Sequence, residues 1–237
     1  MKPILILQHL GGDGPGYFAH WLRARGVPFE LRNAEAGEPW PEHLREHSAL
    51  ALLGGEMSAN DPLPSLRHAE ALIREAMAAG QPVIGHCLGG QLMARASGAR
   101  VHESPAPEIG WQPLQVLDST AARDWFGSSS GPATVFQWHY DAFELPPGAE
   151  PLARSDACPQ QAYAIGPHLG MQFHIEIDAE KVNRWSVEAG ARWRQALLAH
   201  PATVQDGAAM RASLPAALPA HRALADRLYA RWLAGVR

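Results

Sequence analysis

Pro82-Val83-Ile84-Gly85-His86-Cys87-Leu88-Gly89-Gly90-Gln91 is the stretch whose reading decides the fold. Residues 82–85 form a short apolar run, read as a buried strand, which leads straight into Cys87 and a helix over roughly 88–97. Glycines stand two positions before and two after the cysteine. That spacing at a strand-to-helix junction is the cysteine counterpart of the nucleophile elbow. So sharp a turn forces its central residue into a strained backbone conformation, and glycine is needed wherever a Cβ would clash. The turn also seats the sulfur at the N-terminus of the helix, where the dipole and free N–H groups favour thiolate over thiol. The Leu88 N–H then points at an oxyanion. A small buried cysteine at a tight turn is the bland alternative, but the strand, the glycine spacing and the helix occur together.

Outward from this point, the first half alternates strands with helices. Residues 3–8, 27–31 and 48–53 read as strands, and a Gly-rich loop (Gly11, Gly12, Gly14, Gly16) precedes a helix at 16–25. Leu66, Ala69, Ile73 and Ala76 share one face of a helix over 65–79, which Gly80 stops. This βαβ pattern predicts a parallel sheet covered on both faces. The second half reads differently, with strands at 110–118, 133–138, 161–165 and 169–173 and few helices between, so an antiparallel or mixed extension is expected. A loop is expected at 127–132. After Asp178 the pattern is helical: Val182, Trp185, Ala189, Trp193 and Leu197 form one stripe, and a last helix runs near 218–234, with Pro201, Pro215 and Pro219 punctuating the tail. The expected organisation is a main domain over 1–178 with a helical extension, 179–237, packed on it.

The 237 residues suffice for one large α/β domain, and 46% apolar with 19% charged residues is ordinary for a globular protein. The net charge of −4, without a long basic run, argues against nucleic acid or an anionic membrane as partner. No apolar stretch approaches a membrane span, and residues 3–10 read as a buried strand rather than a leader. Two cysteines, Cys87 and Cys158, suit a reducing cytoplasm. Neither metal-ligand spacing nor a phosphate loop appears, so no metal or cofactor is expected.

Two further signals join Cys87. In the run 172–177, QFHIEI, a strand conformation would turn His174 and Glu176 to one face, where the carboxylate fixes the imidazole tautomer. Taken alone, the pair also suits an exposed strand or half of a metal site. Asp178 is either a third carboxylate on that face or a helix N-cap. Gly54-Gly55 ends an apolar strand and lets backbone N–H groups approach a ligand, or is a plain turn. Together these residues supply a nucleophile, base, orienter and oxyanion donors.

GHCLGGQ (85–91), LLGGEMS (52–58) and QFHIEI (172–177) resemble the class I glutamine amidotransferase domain, as do EIGWQPLQV (108–116) and FQWHYDAFELPPG (136–148). The likeness covers about residues 3–178. It implies a flavodoxin-like three-layer α/β sandwich and a triad of Cys87, His174 and Glu176. It also implies oxyanion donors at Gly55 and Leu88 and substrate contacts at Gly54, Gln91, Tyr140 and Asp141. The implied reaction is hydrolysis of glutamine's γ-amide through a Cys87 thioester, with ammonia passed to an acceptor. With no ATP-binding synthetase segment in the chain, the ammonia goes to a separate synthetase partner, or the protein works alone as a γ-glutamyl peptidase. A non-catalytic binding domain is the reading from another class. Many relatives carry histidine where this chain has Gly90, which predicts a wider pocket. His9 and His139 are expected at its rim, and Cys158 is expected to be unreactive.

Overall fold

The computed structural model describes residues 1–127, 132–187 and 190–236. Strands β1 (Ile4–Gln8), β2 (Phe29–Asn33), β3 (Ala49–Leu52) and β4 (Val83–His86) alternate with helices α1 (Gly16–Ala24) and α2 (Pro64–Ala78), and α3 (Leu88–Ala96) follows β4. Then come β5 (Val101–Val116), α4 (Thr120–Phe126), β6 (Pro132–Phe143), β7 (Glu150–Arg154), β8 (Ala162–Ile165) and β9 (His168–Met171). All nine strands form one sheet in the order β2-β1-β3-β4-β9-β8-β7-β5-β6. The first five in that order are parallel and the rest antiparallel, so the change of character read from the sequence marks a change in strand pairing.

Buried, unbroken apolar runs such as Ile4–Leu7 are what a parallel strand with both faces covered demands. Ile4 and Ile6 join the apolar cluster that holds Phe18 and Trp21 of α1, while Leu5 and Leu7 join the one that holds Leu66 and Ile73 of α2. That alternation makes the three layers, and the fold is the flavodoxin-like α/β sandwich expected. Among the described residues no helix is long and apolar enough to cross a membrane.

The tail differs from expectation. Its first stripe is two helices, α5 (Ala179–Trp185) and α6 (Ala191–Ala199), because Gly190 adopts an extended conformation and caps the second. Ala189 lies outside the described residues, as do 128–131 of the expected loop. The last helix, α7 (Gly207–Leu233), starts eleven residues earlier than its predicted start at 218 and carries Pro215 and Pro219 inside it. Each proline removes one backbone hydrogen bond. The helix persists because Leu218, His221, Ala225, Leu228, Tyr229 and Trp232 bury a continuous face. Ala225, Leu228, Tyr229 and Trp232 belong to the same cluster as β1 and α1, so α7 is part of the core. α4 and β7 have no counterpart in the sequence reading; α4 is short and capped by Ser119, which accepts from the Ala122 N–H.

Gly90 overturns an expectation. A Cβ there would not face a pocket but would press into the Met171 carbonyl of β9, 2.9 Å from the Met171 nitrogen. The Gly90 carbonyl accepts from the Tyr163 hydroxyl at 2.9 Å. Glycine at 90 therefore brings α3 close to β9 and widens nothing. Gly90→Ala should lower the melting temperature by about 2–10 °C, the effect of about 1–3 kcal/mol of overpacking in a chain this size. An unchanged thermal melt would show that α3 can move away from β9 at no cost.

Candidate active site

Cys87 is the N-cap of α3, with φ 48° and ψ −109°, and among the described residues no other non-glycine has a positive φ. Such a conformation costs on the order of 1–3 kcal/mol and persists only where its surroundings over-determine it. Here a Cβ on Gly85 would stand 2.5 Å from the Gly89 backbone, and one on Gly89 would stand 2.6 Å from the Leu52 carbonyl oxygen. The helix start is thus clamped onto β3 and β4. The thiol points at the Trp138 carbonyl at 3.6 Å, and the Gln172 amide points at the sulfur from 3.8 Å.

His174 and Glu176 are brought together, though not by a strand. β9 ends at Met171, and the chain from Gln172 onward is bend and turn. His174 is held at both backbone ends: its N–H donates to the Phe136 carbonyl at 2.9 Å, and its carbonyl accepts from His221 Nε2 of α7 at 2.9 Å. Nδ1–H of His174 donates to Glu176 Oε1 at 2.6 Å. Nε2 makes no hydrogen bond of good geometry, and Cys87 is near enough for its charge to act on the ring. Burial disfavours the imidazolium, but the charges of Glu176 and Cys87 outweigh it and raise His174 to about 10.

Behind the pair lies a buried cation that sequence reasoning missed. Lys181 of α5 donates to Asp13 Oδ1 at 2.6 Å, to the Gly14 carbonyl at 3.0 Å and to Glu176 Oε1 at 3.2 Å. Burial alone would raise the Glu176 pKa, but the charges of Lys181, His174 and His86 hold it well below the usual carboxylate range. Asp13, His174 and Glu176 offer ligand atoms within 4.8 Å of one another, the sort of cluster that can hold a metal ion. The cation already bonded to both carboxylates is the Lys181 ammonium. Asp178 is the N-cap of α5, its Oδ1 accepting from the Lys181 N–H at 2.8 Å.

A cavity of about 430 Å³ opens over Cys87 and His174. Of the predicted residues, Gly55, Gln91, Tyr140 and Asp141 line it. Gln91 Nε2 donates to the Asp141 carbonyl at 3.3 Å, and the Asp141 carboxylate accepts from Ser58 at 2.6 Å. Gly54 is not in the wall. A Cβ there would strike Asp13 and sit 2.9 Å from His174 Cε1, so Gly54 makes room behind the imidazole. The Leu88 side chain is core, leaving only its backbone for chemistry. His139 lines the cavity, but its ring is spent on Glu108 and the Asp141 carbonyl. His9 is not at the rim: it is buried against Trp40, and burial drops its pKa to about 4. His86 bonds the Leu52 carbonyl and Tyr229. Cys158 is buried and free, and burial pushes its pKa up to about 12.

The wall also holds residues whose roles were not legible. Trp185 of α5 packs edge-on to His174 and Trp138, with centroids 5.1 and 5.6 Å apart, and Trp193 of α6 meets Trp138 at 5.3 Å. The Arg192 guanidinium lies 3.8 Å from the Tyr140 ring centroid. The Gly-rich stretch was a usable signal for Asp13; Trp185 and Trp193 were legible only as part of a helical stripe.

A strained cysteine at a helix start, a buried imidazole–carboxylate pair and a cavity shared by both are what a cysteine-dependent acyl-transfer site requires. The model of the family "Glutamine amidotransferase class-I" matches residues 17–184. A glutamine amidotransferase-like protein of Salmonella typhimurium, YfeJ, is 33% identical over 75% of this chain and 77% of its own length. A GMP synthase [glutamine-hydrolyzing] of Aeropyrum pernix is 31% identical over 96% of the chain, which spans 47% of that protein. The crystal structure of a glutamine amido transferase from Methylobacillus flagellatus superposes with a TM-score of 0.91 at 37% identity, covering 100% of this chain and 96% of that one. The chain belongs to the class I glutamine amidotransferase family and is a glutamine amidotransferase-like enzyme.

Removing Lys181 leaves two carboxylates buried without their cation. Lys181→Met should therefore cost about 3–5 kcal/mol in denaturant unfolding, and Asp13→Asn added to it should recover part of the loss. No difference between the single and double variants would mean that Asp13 and Lys181 are not coupled. The His174 proton adds a pH signature. Its folded pKa of about 10 exceeds the ordinary 6.5, so its stabilisation is complete below pH 6.5 and is lost as pH rises through about 10. In melts across that range, Cys87→Ala should show a smaller loss that is complete at a lower pH.

Proposed function

We propose that this enzyme hydrolyses the γ-amide of glutamine through a γ-glutamyl thioester on Cys87. The observation that carries the reading is the left-handed Cys87 backbone at the start of α3, beside the 2.6 Å His174–Glu176 hydrogen bond, in one cavity. The Cys87 sulfur attacks the γ-carbonyl carbon, and His174 holds the proton the thiol gives up. The oxyanion sits on the N–H groups of Gly55 and Leu88, near the start of a helix. Collapse expels ammonia, which takes that proton. Water, deprotonated by His174, then attacks the thioester, releasing glutamate and restoring the thiol. Glu176 orients the imidazole and stabilises its charged form. Gln91, Tyr140 and Asp141 contact the substrate, and Gly54 spaces the site.

The GMP synthase relative supports passage of ammonia to an acceptor, with a synthetase as partner. A stand-alone γ-glutamyl hydrolase is the second reading. It is favoured by the volume of the cavity, within the range that takes drug-sized ligands, and by its aromatic wall of Trp138, Trp185 and Trp193. A binding domain without turnover is disfavoured, since a strained cysteine is retained at a cost in stability.

A glutamine-like electrophile should label Cys87 and spare Cys158 in peptide mass spectrometry. Cys87→Ser should lower kcat for glutamine by more than the ~10³-fold typical of losing one oxyanion donor. An adduct on Cys158, or turnover by the serine variant near the wild-type rate, would overturn the assignment.

A further inference from the structure

Arg192 stands in the first turn of α6, beyond the residues 17–184 that the family model matches. Among the described residues it is the only lysine or arginine in the wall of the Cys87 cavity. The four carboxylates of that wall are Asp13, Glu35, Glu56 and Asp141. Asp13 is neutralised by Lys181, Asp141 accepts from Ser58, and Glu35 accepts the Gly11 N–H. Among the described residues Arg192 forms no ion pair; its guanidinium lies over the face of Tyr140, a ring that the charge of Glu56 also reaches. Arg67 and Arg95, by contrast, pair with Glu70, and Arg184 with Glu180.

A guanidinium held over an aromatic ring is restrained by it while N–H groups of its fork stay available. That fork matches a carboxylate in a bidentate pair. Two features add to the case for a ligand there. Gly190, also in the wall, caps α6 without a side-chain acceptor of its own, and the helix start adds to the positive potential. Tyr140 and Arg192 also border a second, more open cavity of about 590 Å³, with Ser104, Pro105 and His200 on its far side. Arg192 thus stands at the junction between the closed pocket and a space that a longer substrate can enter.

We propose that Arg192 is a specificity-determining residue that receives a substrate carboxylate by a bidentate ion pair. The inference rests on the proposed γ-glutamyl chemistry for the identity of the ligand. The carboxylate has two sources: the α-carboxylate of the glutamyl group, or the carboxylate of an amino acid that leaves from a γ-glutamyl dipeptide.

The test is calorimetric binding to Cys87→Ser, which retains the pocket without the thiol, and to the same protein carrying Arg192→Met or Arg192→Lys. Glutamine against 4-aminobutanamide isolates the α-carboxylate. γ-Glutamylglycine against γ-glutamylmethylamide isolates the leaving-group carboxylate. In one of the two pairs the carboxylate-bearing ligand should bind tighter by about 10–100-fold, the range of a charge-assisted hydrogen-bonded pair. Arg192→Met should abolish that preference and Arg192→Lys restore only part of it, because the lysine keeps the charge without the fork. The pair affected names the source. Melting temperatures unchanged in both variants would exclude misfolding, as expected for an exposed side chain. Preferences that survive Arg192→Met, or ligands that do not bind at all, overturn the proposal. Failure of the chemistry is read separately, as absence of the Cys87 adduct while the binding preference stands.

Discussion

One backbone turn constrains the rest of this structure. Cys87 must hold a left-handed φ between a strand and a helix, and an isolated chain would not keep a β-carbon-bearing residue there. It is kept because α3 begins in contact with three strands at once: β3 through Gly89, β4 through Gly85 and β9 through Gly90. None of these approaches tolerates a side chain. The parallel centre of the sheet is thus more than a core. It supplies the backbone surfaces that force the turn, and the turn exposes a sulfur at the start of a helix.

The charges behind the turn obey a different logic. Four ionisable side chains, Asp13, His174, Glu176 and Lys181, are buried together, and burying any one alone would be costly. They alternate in sign through space, so each cost is offset by a neighbour. The arrangement ties three distant segments together: the Gly-rich loop after β1, the turn after β9 and helix α5. Lys181 and His174 share one oxygen of Glu176. The ammonium keeps that carboxylate ionised while taking part of its field, so the imidazole is charged and oriented without being bound to Glu176 alone.

The parts of the fold legible in the sequence were those with a local cause. The alternation of apolar strands with amphipathic helices was enough for the three layers, and the glycine pattern around Cys87 was enough for the elbow. His174 and Glu176 were paired correctly for the wrong reason. Their hydrogen bond comes from a turn after β9, a conformation that two-residue spacing cannot distinguish from a strand. The misreadings share one cause, which is dependence on distant packing. Gly90 was judged from the histidine that many relatives carry there, yet what presses on it is Met171, and Pro215 and Pro219 sit inside α7 because the core covers its buried face. Lys181 went unnoticed, since nothing local says that Asp13 lies 2.6 Å from its ammonium.

The tail shows how the same fold can keep one chemistry and vary its ligand. The family match ends at residue 184, at the last turn of α5, by which point the cysteine, imidazole and carboxylate are all in place. The helices beyond that point brace or enclose them. His221 of α7 bonds the carbonyl of His174, and Tyr229 bonds His86, the residue before the cysteine, so the long helix supports both halves of the site from below. Trp193 and Arg192 of α6 close the cavity from the side, with Trp185 completing the aromatic wall. Bracing acts on the reacting groups whatever the substrate is, whereas a wall acts on what fits beside them. Sequence change in α6 can therefore alter which acyl compound enters while leaving the elbow and the buried charges untouched.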